Sequence, residues 1–281
     1  MKNKKIFSIA ALVMIVICLI IAAFFVGKMI KEAREYSNGN EIYEEIIDNA
    51  VETVDADIDK DKTAESTSTE EISQEHTKLE NESKNVEYVD LVSCPKIDFR
   101  KLKMMNPDIV AWIYCSGTEI NYPVVQGDDN SFYLTHLADG TQNKNGSLFV
   151  EVRNKYDFSD DNTIIYGHNM ASGKMLAGLI DYRAQEFYAA HPFMYLITEN
   201  NSYRLDLFSG FTTKPDSDAY TISCGNSKEF AAWIKNMALR SDFKANMKLT
   251  TNDRIVTLST CSYSFKNARY VVMGRLVELE E

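Results

Sequence analysis

No Cys-x-x-Cys pair and no His-x-x-x-His spacing occurs in this chain, so the usual signatures of a structural or catalytic zinc site are missing. No evident calcium-binding loop is present either, and no internal repeat. An excess of basic charge is lacking too. With 30 Lys+Arg against 41 Asp+Glu the net charge is −11, and nothing in that balance argues for a nucleic-acid partner. Histidine and cysteine are scarce, at four and five residues. Any imidazole or thiol chemistry therefore rests on few candidates.

What is present divides the chain into unlike parts. Lys2, Lys4 and Lys5 precede an uncharged run from Ile6 to Gly27. About 20 apolar residues suffice to span a bilayer, whereas a signal-peptide core has about 7 to 15, so the run predicts an uncleaved signal anchor. Lys28, Lys31 and Arg34 balance the three lysines on the near side, and charge alone leaves the orientation a tie. From Glu41 to Asp90 the chain carries 17 Asp+Glu against four Lys, which concentrates the acidity in a stalk. Residues 28–90 are expected to be largely disordered, because stretches such as Thr63 to Ser73 are too polar to bury a core; Glu41 to Val54, with scattered aliphatics, could form a helical stem.

Residues 91–281 are enough for one compact domain. Short β-type runs at 109–114, 121–125, 147–152, 163–166, 194–197 and 203–213, with glycines between them, predict a mainly β barrel or sandwich with peripheral helices. Helices are expected at Phe99 to Met105, at Met175 to Ala190, and most clearly at Ser227 to Leu239. There Ser227 is a candidate N-cap, and Phe230, Trp233, Ile234 and Met237 fall on one side.

The chain closes on two further β-type runs, Arg254 to Thr260 and Arg269 to Met273. The first ends in Cys261 and the second begins with Arg269. As neighbouring strands they would bring a thiol and a guanidinium to one sheet edge, where the cation favours the thiolate. A cysteine ending an apolar strand is also commonly a small core residue, so a base is needed to decide. His76 lies in the acidic segment and reads as solvated. His191 precedes Pro192 and reads as structural, and His136 suits a rim position. His168 is delivered by Thr163-Ile164-Ile165-Tyr166-Gly167, just past a strand end, where catalytic groups are often held. Cys18 falls in the apolar run, and Cys94, Cys115 and Cys224 remain. Cys115 and Cys224 read as inert buried thiols, which suits an exported protein without a disulfide framework.

The TLSTC run at 257–261, Arg269 eight residues later and YGHNM at 166–170 resemble the Cys, His and Arg motifs of sortases, the membrane-anchored transpeptidases of Gram-positive cell walls. Residues 106–134 and NGSLFVE at 145–151 are similar to class B members in particular, and the likeness spans about residues 95 to 281. It implies a closed barrel of about eight strands with an N-terminal helical segment and a long helix between the sixth and seventh strands. It also implies a cytoplasmic tail at 1–5, a transmembrane anchor at 6–27 and an extracellular catalytic domain at 91–281.

The implied chemistry uses Cys261 as nucleophile, His168 as general acid and base, and Arg269 as oxyanion or substrate stabiliser. A sorting motif on a secreted protein would be cut after Thr through a thioacyl intermediate and passed to an amine of peptidoglycan, with no cofactor and no metal. A pilin-polymerising or hydrolytic variant and a non-catalytic wall-binding module are the alternatives, and the intact Cys, His and Arg set speaks against the last. Ser259, two residues from Cys261, shares its strand face and is the better substrate contact. Thr260 suits a structural hydrogen bond, though its match to the motif keeps it a candidate contact. The resemblance adds Asn130 and Leu134 to the groove, and Tyr220 could wall it. Ser262 departs from the family, many class B members carrying an acidic residue directly after the cysteine.

Overall fold

The β-branched and aromatic runs form eight strands in the computed structural model, which describes residues 2–51 and 94–280 and the side chains of 14–51 and 94–280. They are β1 (Ile109–Tyr114), β2 (Asn121–Val125), β3 (Leu148–Val150), β4 (Asn162–Tyr166), β5 (Phe193–Ile197), β6 (Ser202–Thr213), β7 (Ile255–Cys261) and β8 (Arg269–Glu278). Hydrogen bonding runs β1-β2-β3-β4-β7-β8-β6-β5 and closes from β5 back to β1, leaving no open edge. The β2–β3 and β4–β7 pairs are parallel and the others antiparallel, so the barrel is mixed. Eight strands and closure are what the resemblance implied.

The interior is filled by side chains that alternate inward along the strands, among them Trp112, Tyr195, Leu258 and Tyr270. Four α-helices among the described residues lie outside it: α1 (Lys2–Ala50), α2 (Phe99–Met105), α3 (Gln185–Ala190) and α4 (Ser227–Leu239). Helix α4 lies between β6 and β7, as expected. Its Phe230, Trp233, Ile234 and Met237 build a second, smaller core against Phe208, Phe211, Val271 and Met273. Each such burial contributes about 1.5–3 kcal/mol.

Two local expectations are corrected. The cap of α4 is Asn226, whose side chain accepts from the amides of Lys228 and Glu229, so the helix begins with Ser227 rather than being capped by it. The single helix expected at Met175 to Ala190 is split into a 3-10 segment (Ala177–Arg183) and α3, with Ala184 extended between them. Leu176, Leu179 and Tyr182 are all fully buried, and their spacing of three matches a 3-10 turn better than an α-helical one.

Helix α1 joins two environments. Met14 to Ile30 presents exposed apolar side chains such as Leu19 and Phe24, on a helix long and apolar enough to cross a membrane. Further along, Tyr43, Ile46 and Ala50 are buried in the main core. The Tyr43 hydroxyl donates to the Gly146 carbonyl at 2.7 Å, and Asn145 donates through Nδ2 to the Tyr36 carbonyl and to Asn40. The described part of the expected stalk, residues 28–51, is thus helical and in part packed on the barrel; residues 52–93 lie outside the described residues.

Candidate active site

Three neighbouring strands, β4, β7 and β8, end together at one rim of the barrel. Cys261 is the last residue of β7 and stands directly opposite Arg269, the first residue of β8, in the antiparallel ladder. Directly opposed residues share a face, so thiol and guanidinium emerge on the same side. On the other flank β4 runs parallel to β7, with Tyr166 level with Ser259. His168, two residues past Tyr166, is therefore delivered level with Cys261, two residues past Ser259. All three are partly exposed, in reach of solvent and ligand.

The loop that carries His168 is fastened to β7 by three bonds. The Gly167 amide donates to the Ser259 carbonyl at 3.0 Å, the Thr260 hydroxyl donates to the Gly167 carbonyl at 2.8 Å, and Asn169 Nδ2 donates to the Cys261 carbonyl at 2.8 Å. The imidazole is fixed separately. Its Nε2 lies 2.8 Å from the Leu134 carbonyl, and since a carbonyl can only accept, Nε2 carries a proton. Nδ1 has no protein partner among the described residues and is the nitrogen left for exchange.

Gly146 closes the back of this arrangement. It has φ +59°, and a Cβ there would stand 2.7 Å from the Leu134 carbonyl oxygen, 2.8 Å from that of Tyr133 and 2.9 Å from His168 Cδ2. The chain passes so close to the histidine that a side chain has no room.

Tyr220 lies over β7, its hydroxyl 2.8 Å from Ser259 Oγ. Burial raises its phenol pKa, opposed by the Ser259 bond and the positive charge of Arg269, while Cys261 adds to the rise. Its ring stacks on Tyr166, whose hydroxyl donates to Glu151 at 2.9 Å. Glu151 also accepts from Asn130 Nδ2 and from Arg153 Nε. Burial works to raise this carboxyl, but the bonds from Arg153, Asn130 and Tyr166 together hold it below its ordinary value.

The expected substrate contacts thus fall in different settings. Leu134 is exposed and supplies the carbonyl for His168. Asn130 is exposed but commits its side chain to Glu151 and, through Oδ1, to the Val152 amide. Ser259 and Thr260 are each 1% exposed, with hydroxyls engaged by Tyr220 and Gly167. Asn169, Gly146, Glu151 and Tyr166 were absent from the expected set; each acts through a contact between distant segments. The family-like segments at 145–151 and 166–170 enclose all four without giving any of them a role.

A family model described as the sortase domain matches residues 113–277. The chain is 35% identical to sortase B of Listeria monocytogenes over 182 residues, which is 64% of this chain and 74% of that protein. It is 33% identical to sortase B of Staphylococcus aureus over 183 residues, 64% of this chain and 75% of that one. Among solved structures, a Staphylococcus aureus sortase B–substrate complex superposes with a TM-score of 0.62 at 33% identity, covering 65% of this chain and 85% of that chain.

Proposed function

Because the chain belongs to the class B sortases, a family of cysteine transpeptidases, we propose that it cleaves a sorting motif after Thr, holds the acyl part on Cys261 and passes it to an amine of peptidoglycan. The observation that carries this reading is the register that sets Cys261 opposite Arg269 with His168 one strand away.

An amide resists cleavage, and a thiolate divides the reaction into two easier steps. The Cys261 sulfur forms a bond to the motif carbonyl and the C–N bond breaks. His168 Nδ1, left available by the bond of Nε2 to Leu134, takes the proton that the Cys261 thiol gives up and passes it to the departing amine. An acceptor amine then forms a new C–N bond, the C–S bond breaks with its electrons on sulfur, and the amine's proton returns to His168. Arg269 keeps its charge throughout and steadies the oxygen that becomes negative in both steps.

Around this centre Leu134 and Tyr220 form the groove walls. Ser259 orients Tyr220, Thr260 holds the histidine loop through Gly167, and Asn130 supports the wall through Glu151. Residues 6–27 anchor the chain in a single pass, with residues 1–5 in the cytoplasm and the domain from 91 on the wall side. The solved Staphylococcus aureus relative with bound substrate supports a motif-bearing peptide as donor.

The test uses the full-length chain in detergent micelles, given peptides carrying Pro-x-Thr-Gly or Pro-x-Thr-Asn, with and without a diamine, and followed by intact-mass spectrometry. A thioacyl adduct on the wild type, absent from Cys261→Ala and discharged into an amine-linked product, is the expected outcome. Discharge into water alone would make the protein a hydrolase. No adduct across a motif panel, with the protein folded, would refute the enzyme reading for these substrates.

A further inference from the structure

Helix α1 reaches the catalytic centre from behind. Along it Glu35, Gly39, Tyr43 and Ile46 recur at intervals of three and four, so one stripe faces the barrel. The stripe meets the 143–147 loop, which backs His168. Asn143 Nδ2 donates to the Glu35 carbonyl at 2.9 Å, Asn145 Nδ2 donates to the Tyr36 carbonyl at 3.2 Å and to Asn40 Oδ1 at 3.0 Å, and the Tyr43 hydroxyl donates to the Gly146 carbonyl at 2.7 Å. Gly39 sits within the helix, where glycine is less favourable than alanine. The loop explains its place: a Cβ there would stand 2.6 Å from Asn145 Nδ2 and 2.8 Å from Asn143 Oδ1, on amides that these bonds hold fast.

Tyr43 stands where three paths lead to the histidine. Through its hydroxyl it holds Gly146, whose bare Cα clears the His168 ring. The same loop is bonded to the segment that supplies the Leu134 carbonyl. There the Asn143 amide donates to the Thr135 carbonyl at 2.9 Å, the Ser147 amide to that of Tyr133 at 2.8 Å, and Ser147 Oγ to that of His136 at 2.8 Å. Through its ring Tyr43 meets Tyr122 edge to face at 5.3 Å. The Tyr122 hydroxyl accepts from the Met175 amide at 3.2 Å, and the next amide, that of Leu176, donates to the His168 carbonyl at 3.0 Å. Every step on these paths is a contact, and each path ends on His168 itself or on the carbonyl that fixes its tautomer.

We propose that Tyr43 is a positioning residue for His168, which makes the helix that carries the apolar stretch a part of the catalytic centre. This rests on the transpeptidase reading above for the histidine's task, though not for its placement. With Tyr43 seated, the Leu134 carbonyl holds the Nε2 proton and Nδ1 is left for exchange. Without the hydroxyl the Gly146 carbonyl loses its Tyr43 donor, the 143–147 loop shifts together with the 133–136 segment bonded to it, and the imidazole is released to take either tautomer.

The experiment compares the full-length wild type with Tyr43→Phe in micelles. Phenylalanine keeps the ring on Tyr122 and removes only the hydroxyl. Cleavage of motif peptide gives kcat and KM. Histidine labelled for nitrogen NMR reports the His168 ring at a pH where the imidazole is neutral, its signal assigned by its loss in His168→Ala. In the variant kcat is expected to fall about tenfold, part of the roughly 10²–10⁴-fold that acid–base catalysis contributes, with KM within about twofold. The ring nitrogens, protonated at Nε2 and bare at Nδ1 in the wild type, should move toward averaged values. A variant that only melts earlier, with kcat and the ring signal unchanged below its melting temperature, would overturn the proposal. So would a fall in kcat with the ring nitrogens unmoved, or moved nitrogens with kcat unchanged. If Tyr43→Phe does not fold, Gly39→Ala, which pushes the helix off Asn145, is expected to give the same two changes, and their absence would overturn the proposal. Lys144→Ala removes only the exposed ion pairs to Glu32 and Glu35 and should leave both readings as in the wild type. An effect there as large as in Tyr43→Phe would assign the result to helix docking in general and overturn the part given to Tyr43. If the wild type cleaves no motif peptide, the transpeptidase reading fails, and the ring nitrogens alone decide whether Tyr43 holds the histidine.

Discussion

Cys261 and Arg269 on one side of the site, and His168 on the other, are held by different kinds of structure. The thiol and the guanidinium are eight residues apart in the chain and meet through the backbone ladder of adjacent strands β7 and β8. Ladder bonds do not depend on which side chains the strands carry. The histidine is held by contacts from distant segments: the Leu134 carbonyl, the bare Cα of Gly146, the Thr260 hydroxyl and the Asn169 amide. The first half should tolerate change around it, and the second should be sensitive to single atoms.

The most direct way to break this contrast is Gly146→Ala. The added Cβ meets two backbone oxygens below 3.0 Å, which cannot step aside as a side-chain tip would, and the backbone is left-handed there. The histidine ring or the 133–134 segment must shift. Misplacement by about 1 Å can cost about 10²-fold, so turnover should fall on that scale. Strain and displacement should also lower stability by roughly 1–3 kcal/mol. Turnover of motif peptide beside a denaturant melt checks both. Activity within twofold of the wild type would show that the histidine is not held by this contact.

The same contrast explains which parts could be read before the structure. The β7–β8 pair is legible because two β-type runs and their terminal Cys261 and Arg269 lie in one continuous stretch. His168 is legible because a strand, a glycine and the histidine are contiguous. Helix α4 shows in four apolar residues at helical spacing, although its cap was placed one residue late because serine and asparagine serve equally well there. What holds the histidine in place was not legible. Gly146 lies 22 residues before His168 and nothing local marks it as the glycine that clears the ring. Glu151 directly follows β3 and Tyr166 ends β4, neighbouring strands whose pairing is set by barrel closure rather than by adjacent sequence. The 3-10 segment was missed because Leu176, Leu179 and Tyr182 also satisfy part of an α-helical pattern.

A milder change sharpens the comparison. Thr260→Val keeps the shape of a buried residue beside Cys261 but deletes the hydroxyl that donates to the Gly167 carbonyl. An acceptor left without its partner costs about 1–3 kcal/mol. The strand pairing of Cys261 with Arg269 is untouched, so the loss should fall on the histidine's work. Acid–base catalysis contributes about 10²–10⁴-fold, and a loosened base should forfeit part of it, on the order of tenfold. Cys261 alkylation by a small thiol reagent, measured at a pH high enough to need no base, should change little. A large fall in that alkylation would place the damage on the β7 side instead.

The smallest expected effect concerns the wall behind Tyr220. Glu151 is buried and its pKa stands below the ordinary 4.5, through the bonds from Arg153, Asn130 and Tyr166 acting against burial. A carboxyl depressed on folding adds stability that is fully present above its unfolded pKa and is lost as pH falls through its folded pKa. Denaturant midpoints should therefore drop between about pH 5 and pH 3, and Glu151→Gln should flatten part of that drop. Asp129 and Asp157 are lowered in the same direction, by bonds from Ser131 and Ser159, but both lie in solvent and should contribute little. If the slope in Glu151→Gln equalled that of the wild type, the carboxylate would not be holding Asn130 and Tyr166 together. The stack of Tyr166 on Tyr220 would then owe its position to packing alone.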